Sequence, residues 1–368
     1  MSKKILLLTA SYGTGHISAT KSIDKALKQM STSCETKIID FLNVKGEEKK
    51  KLTLFQRLYN YSMKHPRLWD GFFYFTNNRF STNILKKFIL RGSYEAAKEI
   101  ISNFSPDVIV SSHPYWNFII ERYKEEVRNI HYICVVTDSY MIHDSWKYGP
   151  VDTYCVIDTD TKEVLEKDGL KNIMVTGFPV NPDLEVSVDR SKVLSEVGLE
   201  PKVNTIAITV GLGALSRFME IIEYLSTKEG NFQLLLIVGK FEEIANRIKN
   251  LSFKVKKAVI GWTPKMIDYI RVADIMICKG GGAITSETLA AGNVIFIPVF
   301  VPGQERGNVY VVQKYKYGFY ETDINKIKIL LDKIISREID LSLYKENIKK
   351  YFNKGSAVKI AKFVLENF

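Results

Sequence analysis

Residues Lys279 to Asn308 read K-G-G-G-A-I-T-S-E-T-L-A-A-G-N-V-I-F-I-P-V-F-V-P-G-Q-E-R-G-N. An apolar run, Asp274–Cys278, leads into the glycines, and a helical pattern follows them. Glycine lets backbone N–H groups approach a ligand closely, and a helix N-terminus favours an anion. A diphosphate suits that chemistry, with Glu287, about one turn into the helix, accepting from ribose hydroxyls. A second apolar run, Val294–Val299, delivers Pro302-Gly303-Gln304-Glu305 to the same strand-end crevice, where open α/β sheets bind ligands. The first loop alone would also pass for an ordinary strand-to-helix turn. The second loop weighs against that.

Two further stretches carry groups able to move protons. Thr9-Ala10-Ser11-Tyr12-Gly13-Thr14-Gly15-His16 is again strand, glycine loop and helix start. A helix N-terminus lowers an imidazole pKa, so His16 is expected to be neutral and able to act as a base. A polar helix-start residue is the plain alternative. Thr137-Asp138-Ser139-Tyr140-Met141-Ile142-His143-Asp144-Ser145-Trp146 follows a buried run and sets Asp138 and His143 at a strand end on the crevice side. Asp158-Thr159-Asp160 has the D-x-D form of a metal site. Asp160 with Glu163 fits a helix-capping box better, so no metal is expected there.

The elements that must hold these groups alternate almost throughout. Expected strands are Lys4–Thr9, Thr36–Asp40, Asp107–Ser111, His131–Thr137, Thr153–Ile157 and Ile173–Thr176, then Thr205–Val210, Gln233–Val238, Ala258–Gly261, Asp274–Cys278 and Val294–Val299. Near-continuous Val, Ile and Leu runs mark parallel strands buried on both faces, and the helices between them make an α/β fold. Gly177–Pro182 (G-F-P-V-N-P) reads as a linker between two Rossmann-like domains, 1–180 and 181–350. A last segment, 351–368, is able to pack back on the first domain. At 368 residues, two domains are also the expectation from length. The halves share an architecture but show no internal repeat.

Composition narrows the function. Hydrophobic residues make up 46% and charged residues 25%, as in soluble globular proteins. The four cysteines (Cys34, Cys134, Cys155, Cys278) are scattered with no C-x-x-C, which suggests buried thiols in a reducing cytoplasm. The apolar run Ile5–Leu8 is too short for a signal peptide, and no stretch reaches the length of a membrane span. The net charge of +11 calls for an acidic partner. Residues 45–91 hold eleven lysines and arginines against three acids, among them Lys50, Lys51, Lys86 and Lys87. Interleaved aromatics include Trp69, Phe72, Phe73 and Phe75. Basic residues attract anionic lipid headgroups and aromatics favour the membrane interface, so this segment is expected to dock on an anionic membrane surface. Basic-aromatic interleaving also suits single-stranded nucleic acid. The F-F-Y-F run and the lack of an RNA-binding motif argue against nucleic acid.

Together the three loops resemble the diacylglycerol glycosyltransferases, the bacterial processive glucosyltransferases and plant monogalactosyldiacylglycerol synthases of glycosyltransferase family 28. The family's T-A-S-Y-G-N-G-H is matched by Thr9–His16, and its T-D with following His and Trp by Thr137, Asp138, His143 and Trp146. Its K-P-G-G, E and P-G-Q-E-x-x-N are matched by Lys279–Gly282, Glu287, Pro302–Glu305 and Asn308. Gly261-Trp262-Thr263 fits the family's turn before the preceding helix. The ordered set covers nearly the whole chain.

The resemblance implies a GT-B fold, two Rossmann-like domains whose parallel sheets face a central cleft. It implies an inverting hexosyl transfer from UDP-glucose or UDP-galactose to diacylglycerol, without a cofactor, by an enzyme peripheral on the cytoplasmic face of the cell membrane. His16 would be the base, with Asp138 orienting it or the acceptor. Gly15, Gly211, Gly213, Trp262, Thr263, Lys279, Gly281, Gly282, Ala283, Thr285, Glu287, Gln304, Glu305 and Asn308 would hold the nucleotide sugar, Gln304 and Glu305 through sugar hydroxyls. His143 and Trp146 would face the acceptor. Gly280 stands where the family has Pro or Ala, which would loosen the loop, and Gly211–Ala214 is a shortened glycine loop. A polyprenyl-linked sugar as acceptor, or a UDP-sugar-binding regulator with little catalysis, are the competing readings. The epimer of the donor sugar, the number of sugars added and the oligomeric state are not encoded in these motifs.

Overall fold

The computed structural model describes residues 3–44, 66–211 and 214–368, and within these the side chains of 66–69 and 72 are not described. The chain forms two compact units. One comprises Met1–Pro182, Val301–Gly307 and Asn353–Phe368, and the other Asp183–Phe300 and Asn308–Phe352.

The first unit is built on six parallel strands: β1 (Lys3–Thr9), β2 (Cys34–Asp40), β3 (Val108–Ser111), β4 (His131–Val135), β5 (Thr153–Val156) and β6 (Ile173–Val175), in the order β2-β1-β3-β4-β5-β6. Ile5 to Leu8 are fully buried because helices cover both faces. On one face, Ile23, Ala26 and Leu27 of α1 (Gly15–Met30) pack with Ile360, Ala361 and Val364 of the last helix, Ser356–Asn367. On the other lie α3 (Arg79–Phe104) and the helix Tyr115–Glu126, and α2 (Pro66–Thr76) packs on α3. The segment Gly177–Pro182 is seated on the C-terminal stretch: the Ser356 hydroxyl donates to the Phe178 carbonyl and accepts from the Val180 N–H at 3.3 Å.

The second unit repeats the scheme with β7 (Asn204–Thr209), β8 (Phe232–Gly239), β9 (Lys257–Gly261), β10 (Ile275–Ile277), β11 (Val294–Ile297) and β12 (Gly318–Tyr320), in the order β12-β11-β10-β7-β8-β9. Every pairing in both sheets is parallel. Eleven strands fall on the runs expected from sequence. The twelfth, β12, is a three-residue edge strand starting at a glycine, too short to show as an apolar run. All four cysteines are free thiols, Cys34 half-buried and the rest buried.

Strand order fixes where loops diverge. In the first sheet the chain leaves β1 for β2 on one side and returns to β3 on the other. In the second, β7 leads to β8 on one side and β10 lies on the other. Each reversal opens a crevice at the strand ends, where α/β sheets bind ligands. The loops after β1 and β3 carry His16 and His113. The loops after β7 and β10 carry Gly211 and the glycine run.

Candidate functional site

At the first crevice, β1 ends at Thr9 and the chain turns through Gly13, whose φ of +91° needs a residue without a Cβ, into α1. His16 is the second residue of that helix. Its Nδ1 lies 2.7 Å from the Ser112 carbonyl and 2.9 Å from Thr137 Oγ1. A carbonyl only accepts, so Nδ1 carries the proton and Nε2 keeps its lone pair. Burial is the main cause that lowers the His16 pKa to about 4, partly opposed by the bond to Ser112. The ring is neutral at pH 7, and the expected helix-end effect is secondary to burial.

Asp138 does not reach His16 by any hydrogen bond described. Its Oδ2 accepts from the indole N–H of Trp146 at 2.7 Å. Burial raises its pKa to about 6, with the Trp146 bond pulling the other way. Trp146 is itself core, with its ring centroid 6.1 Å from that of His16. His143 caps the turn Asp144–Lys147, its Nδ1 accepting from the Ser145 N–H at 3.1 Å and its Nε2 3.3 Å from Thr76 Oγ1. Burial lowers its pKa to about 4.

These groups line a cavity of about 410 Å³. Its lining includes the polar side chains of His16, His113, Asp138 and Gln304 and the apolar side chains of Phe75, Phe80, Ile84 and Phe88 of α2 and α3. Phe75, Phe80 and Ile84 are also 74%, 75% and 55% exposed, so the apolar wall continues onto the surface. Sequence reasoning missed His113, although the S-S-H-P turn after a buried strand carries the same strand-end signal as the other two loops.

The membrane-docking set divides. Lys50 and Lys51, and the side chains of Trp69 and Phe72, lie outside the described residues. Phe73 is not available for insertion: it is buried, edge-on to His143 at 5.3 Å, and Gly303 packs so close that a Cβ there would lie 2.8 Å from its ring. Lys86 is ion-paired with Glu121, while Lys87 is exposed. Among the described residues no helix is long and apolar enough to cross a membrane.

At the second crevice the glycine run is held tightly. Gly280 donates to the Val299 carbonyl at 3.0 Å and accepts from Asn308 Nδ2 at 2.9 Å. A Cβ on Gly280 would sit 3.0 Å from Phe300 Cβ and 3.2 Å from Ile297 Cγ2, so glycine makes room for Phe300 and does not loosen the loop. The expected phosphate donors move along by one residue. The Gly281 N–H is spent on the Lys279 carbonyl at 2.7 Å, and Gly281 caps the helix Gly282–Ala290. The N–H groups of Gly282, Ala283 and Ile284 are the first-turn donors that a helix leaves unpaired. Thr285 Oγ1 is buried without a partner among the described residues. Glu287, the helix's sixth residue, is half-buried.

Gly211 comes against Lys279, and a Cβ there would lie 3.5 Å from Lys279 Cβ. Gly213 lies outside the described residues. Trp262, 68% exposed, and Thr263 follow β9, two strands from the switch point. The Thr263 hydroxyl accepts from the Lys265 N–H at 3.0 Å. Glu305 is buried and accepts from the Val301 N–H at 2.6 Å, so this carboxylate closes its own loop and does not present that oxygen to a sugar. Gly15 opens α1 in the first unit, beside His16, away from the glycine run in sequence and sheet.

The D-x-D stretch is a cap, shifted by two residues from the expected one. Asp158, not Asp160, is the N-cap of helix Thr159–Lys167, accepting from the Thr161 N–H at 2.7 Å. Its other oxygen accepts from the Ser139 hydroxyl at 2.7 Å. Among the described residues no three His, Cys, Asp or Glu side chains are grouped to hold a metal.

Comparison with known proteins follows the same division. Residues 16–180 match the family model for monogalactosyldiacylglycerol (MGDG) synthase, and residues 205–354 that for the glycosyltransferase family 28 C-terminal domain. A processive diacylglycerol beta-glucosyltransferase of Bacillus licheniformis is 24% identical, over 99% of this chain and 95% of that one. Monogalactosyldiacylglycerol synthase 3, chloroplastic, of Arabidopsis thaliana is 26% identical, over 98% of this chain and 80% of its own. Among solved structures, Acinetobacter baumannii MurG matches with a TM-score of 0.64 at 12% identity, covering 99% of each chain. At that identity the likeness is one of fold, and the fold is GT-B.

Proposed function

The chain belongs to the glycosyltransferases of family 28 that carry the monogalactosyldiacylglycerol synthase domain, and on that premise we propose that it moves a hexose from a UDP-sugar to diacylglycerol at a membrane surface. The observation that carries this reading is the His16 ring. Its Nδ1 proton is committed to the Ser112 carbonyl, which leaves Nε2 as the base in the wall of a cavity that is also lined by apolar side chains. An alcohol bearing acyl chains fits such a cavity: hydroxyl toward His16, chains along Phe75, Phe80, Ile84 and Phe88.

The hydroxyl oxygen attacks the anomeric carbon as its proton passes to His16 Nε2, and the bond to the diphosphate breaks on the opposite face. One displacement inverts the anomeric centre. A positioned base contributes about 10²–10⁴-fold to such a step. The leaving diphosphate gains charge, which the Gly282, Ala283 and Ile284 N–H groups and the helix dipole would oppose. In this reading the chemistry needs no metal, because backbone donors meet the charge and Asp158 is committed to its cap. The bared aromatics of α2 and α3 support a peripheral location, on the cytoplasmic leaflet where UDP-sugars are made available.

Incubation of the protein with labelled UDP-glucose or UDP-galactose and diacylglycerol vesicles, read by thin-layer chromatography, tests the reading. A labelled glycolipid that requires diacylglycerol is the expected result. No product from either donor would overturn it.

A further inference from the structure

His113 lies at the same cavity wall as His16, with ring centroids 4.5 Å apart and planes at 71°. It is 5% exposed and edge-packed by Tyr115, and Tyr12 lies beside it. Its Nδ1 accepts from the Tyr115 N–H at 3.3 Å. Its burial and the neighbouring His16 hold its pKa well below the ordinary histidine value, so the ring is neutral. A neutral ring that accepts at Nδ1 must carry its proton on Nε2. The two histidines are thus opposite tautomers: His16 offers a lone pair from Nε2, and His113 offers an N–H.

Among the described residues nothing accepts that N–H. Several other polar groups of the wall are turned to one another: Asp138 to Trp146, and His143 to Ser145 and Thr76. The Nε2 atom is not among the buried polar atoms that lack a partner, so its N–H opens onto the cavity, where the acceptor oxygen of a bound ligand can meet it. Beside its free hydroxyl, a diacylglycerol has only ester oxygens as acceptors. The ester nearest the hydroxyl is a short stretch of glycerol away, comparable to the spacing of the two rings.

We propose that His113 is a specificity-determining residue whose Nε2–H donates to an ester carbonyl of the acceptor lipid, registering the free hydroxyl on His16 and selecting diester over ether lipids. The proposal rests on diacylglycerol being the acceptor, as argued above.

The test compares 1,2-diacylglycerol with a 1,2-dialkylglycerol of equal chain length, which keeps the hydroxyl and chains but lacks both carbonyls. Initial rates are measured in detergent micelles for the wild type, His113→Phe and His113→Gln. The wild type is expected to favour the diester by about 3–10-fold in kcat/KM, mainly through KM, the range of one net hydrogen bond. His113→Phe should lose that preference while its rate on the ether lipid holds. His113→Gln, which restores an N–H, should recover most of it. Equal rates on both lipids in the wild type would overturn the proposal without any variant. So would an equal loss on both lipids in His113→Phe, which marks a structural role. Absence of product from either lipid would instead bring down the acceptor reading itself, and this inference with it.

Discussion

The indole N–H of Trp146 donates to the carboxylate of half-buried Asp138 at 2.7 Å, and the buried Trp146 ring lies beside that of His16. Asp138 is therefore a fixed charge in the cavity wall rather than a hand on the His16 ring, which the Ser112 carbonyl orients. As His16 takes a proton it becomes an imidazolium, and an ionised Asp138 in the same cavity favours it.

That arrangement predicts the pH dependence. The Asp138 pKa is raised to about 6, so its charge is present above that value and lost as pH falls through it. His16, lowered to about 4, stays a free base down to lower pH. The turnover of the wild type should fall with an apparent pKa near 6. In Asp138→Asn the rate should be lower throughout, and the fall should move toward about 4. An unchanged limb in that variant would assign it to another group.

His16→Ala should cut turnover by about 10²-fold or more while UDP binding holds, since a lost base affects the chemical step. Rates give the first quantity and calorimetric titration the second. A variant turning over like wild type would remove His16 from the mechanism.

Most of the strand pattern was legible because both faces of each sheet are covered, which writes the strands as apolar runs. The edge strand β12 was not, since three residues beginning with Gly318 leave no such run. His16 and the glycine run were legible because they sit at strand ends. What they contact was not. Ser112 reaches His16 across 96 residues, and Asn308 reaches Gly280 across 28, neither through any local pattern. The role of Phe73 was misread for a related reason: residue type announces a membrane anchor, but burial decides otherwise.

Glu287→Ala should weaken UDP binding by about 1.5–3 kcal/mol, the range for a hydrogen bond to a charged group. Calorimetry decides it. An unchanged Kd would make Glu287 part of the helix packing only.

Turnover should survive excess EDTA. In the proposed function the diphosphate meets helix N–H donors, and both Asp158 oxygens are engaged by Thr161 and Ser139. Loss of activity with chelation and recovery with Mg²⁺ or Mn²⁺ would reassign the leaving-group chemistry to a metal.

Vesicle binding should depend on the apolar side chains that are exposed, not on every aromatic of the segment. Phe75, Phe80 and Ile84 stand out from the surface around the cavity mouth. Replacing the three by Ser should reduce flotation with anionic vesicles even at low salt, with stability shifted by about 0.5 kcal/mol or less per site, as for exposed positions. Phe73→Ala should do the reverse, because that ring is wedged between His143 and Gly303. It should cost about 3–5 kcal/mol of stability, seen as a fall in Tm, the scale for emptying a buried Phe site. Reversing Lys49, Lys50, Lys51 and Lys87 to Glu should make flotation weaker and insensitive to salt, since headgroup attraction is screened over about 8 Å at physiological ionic strength. Lys86 is left out of that set because Glu121 already neutralises it. If the Ser triple variant floats like wild type, the apolar wall serves only the bound lipid and the enzyme meets the membrane by another face.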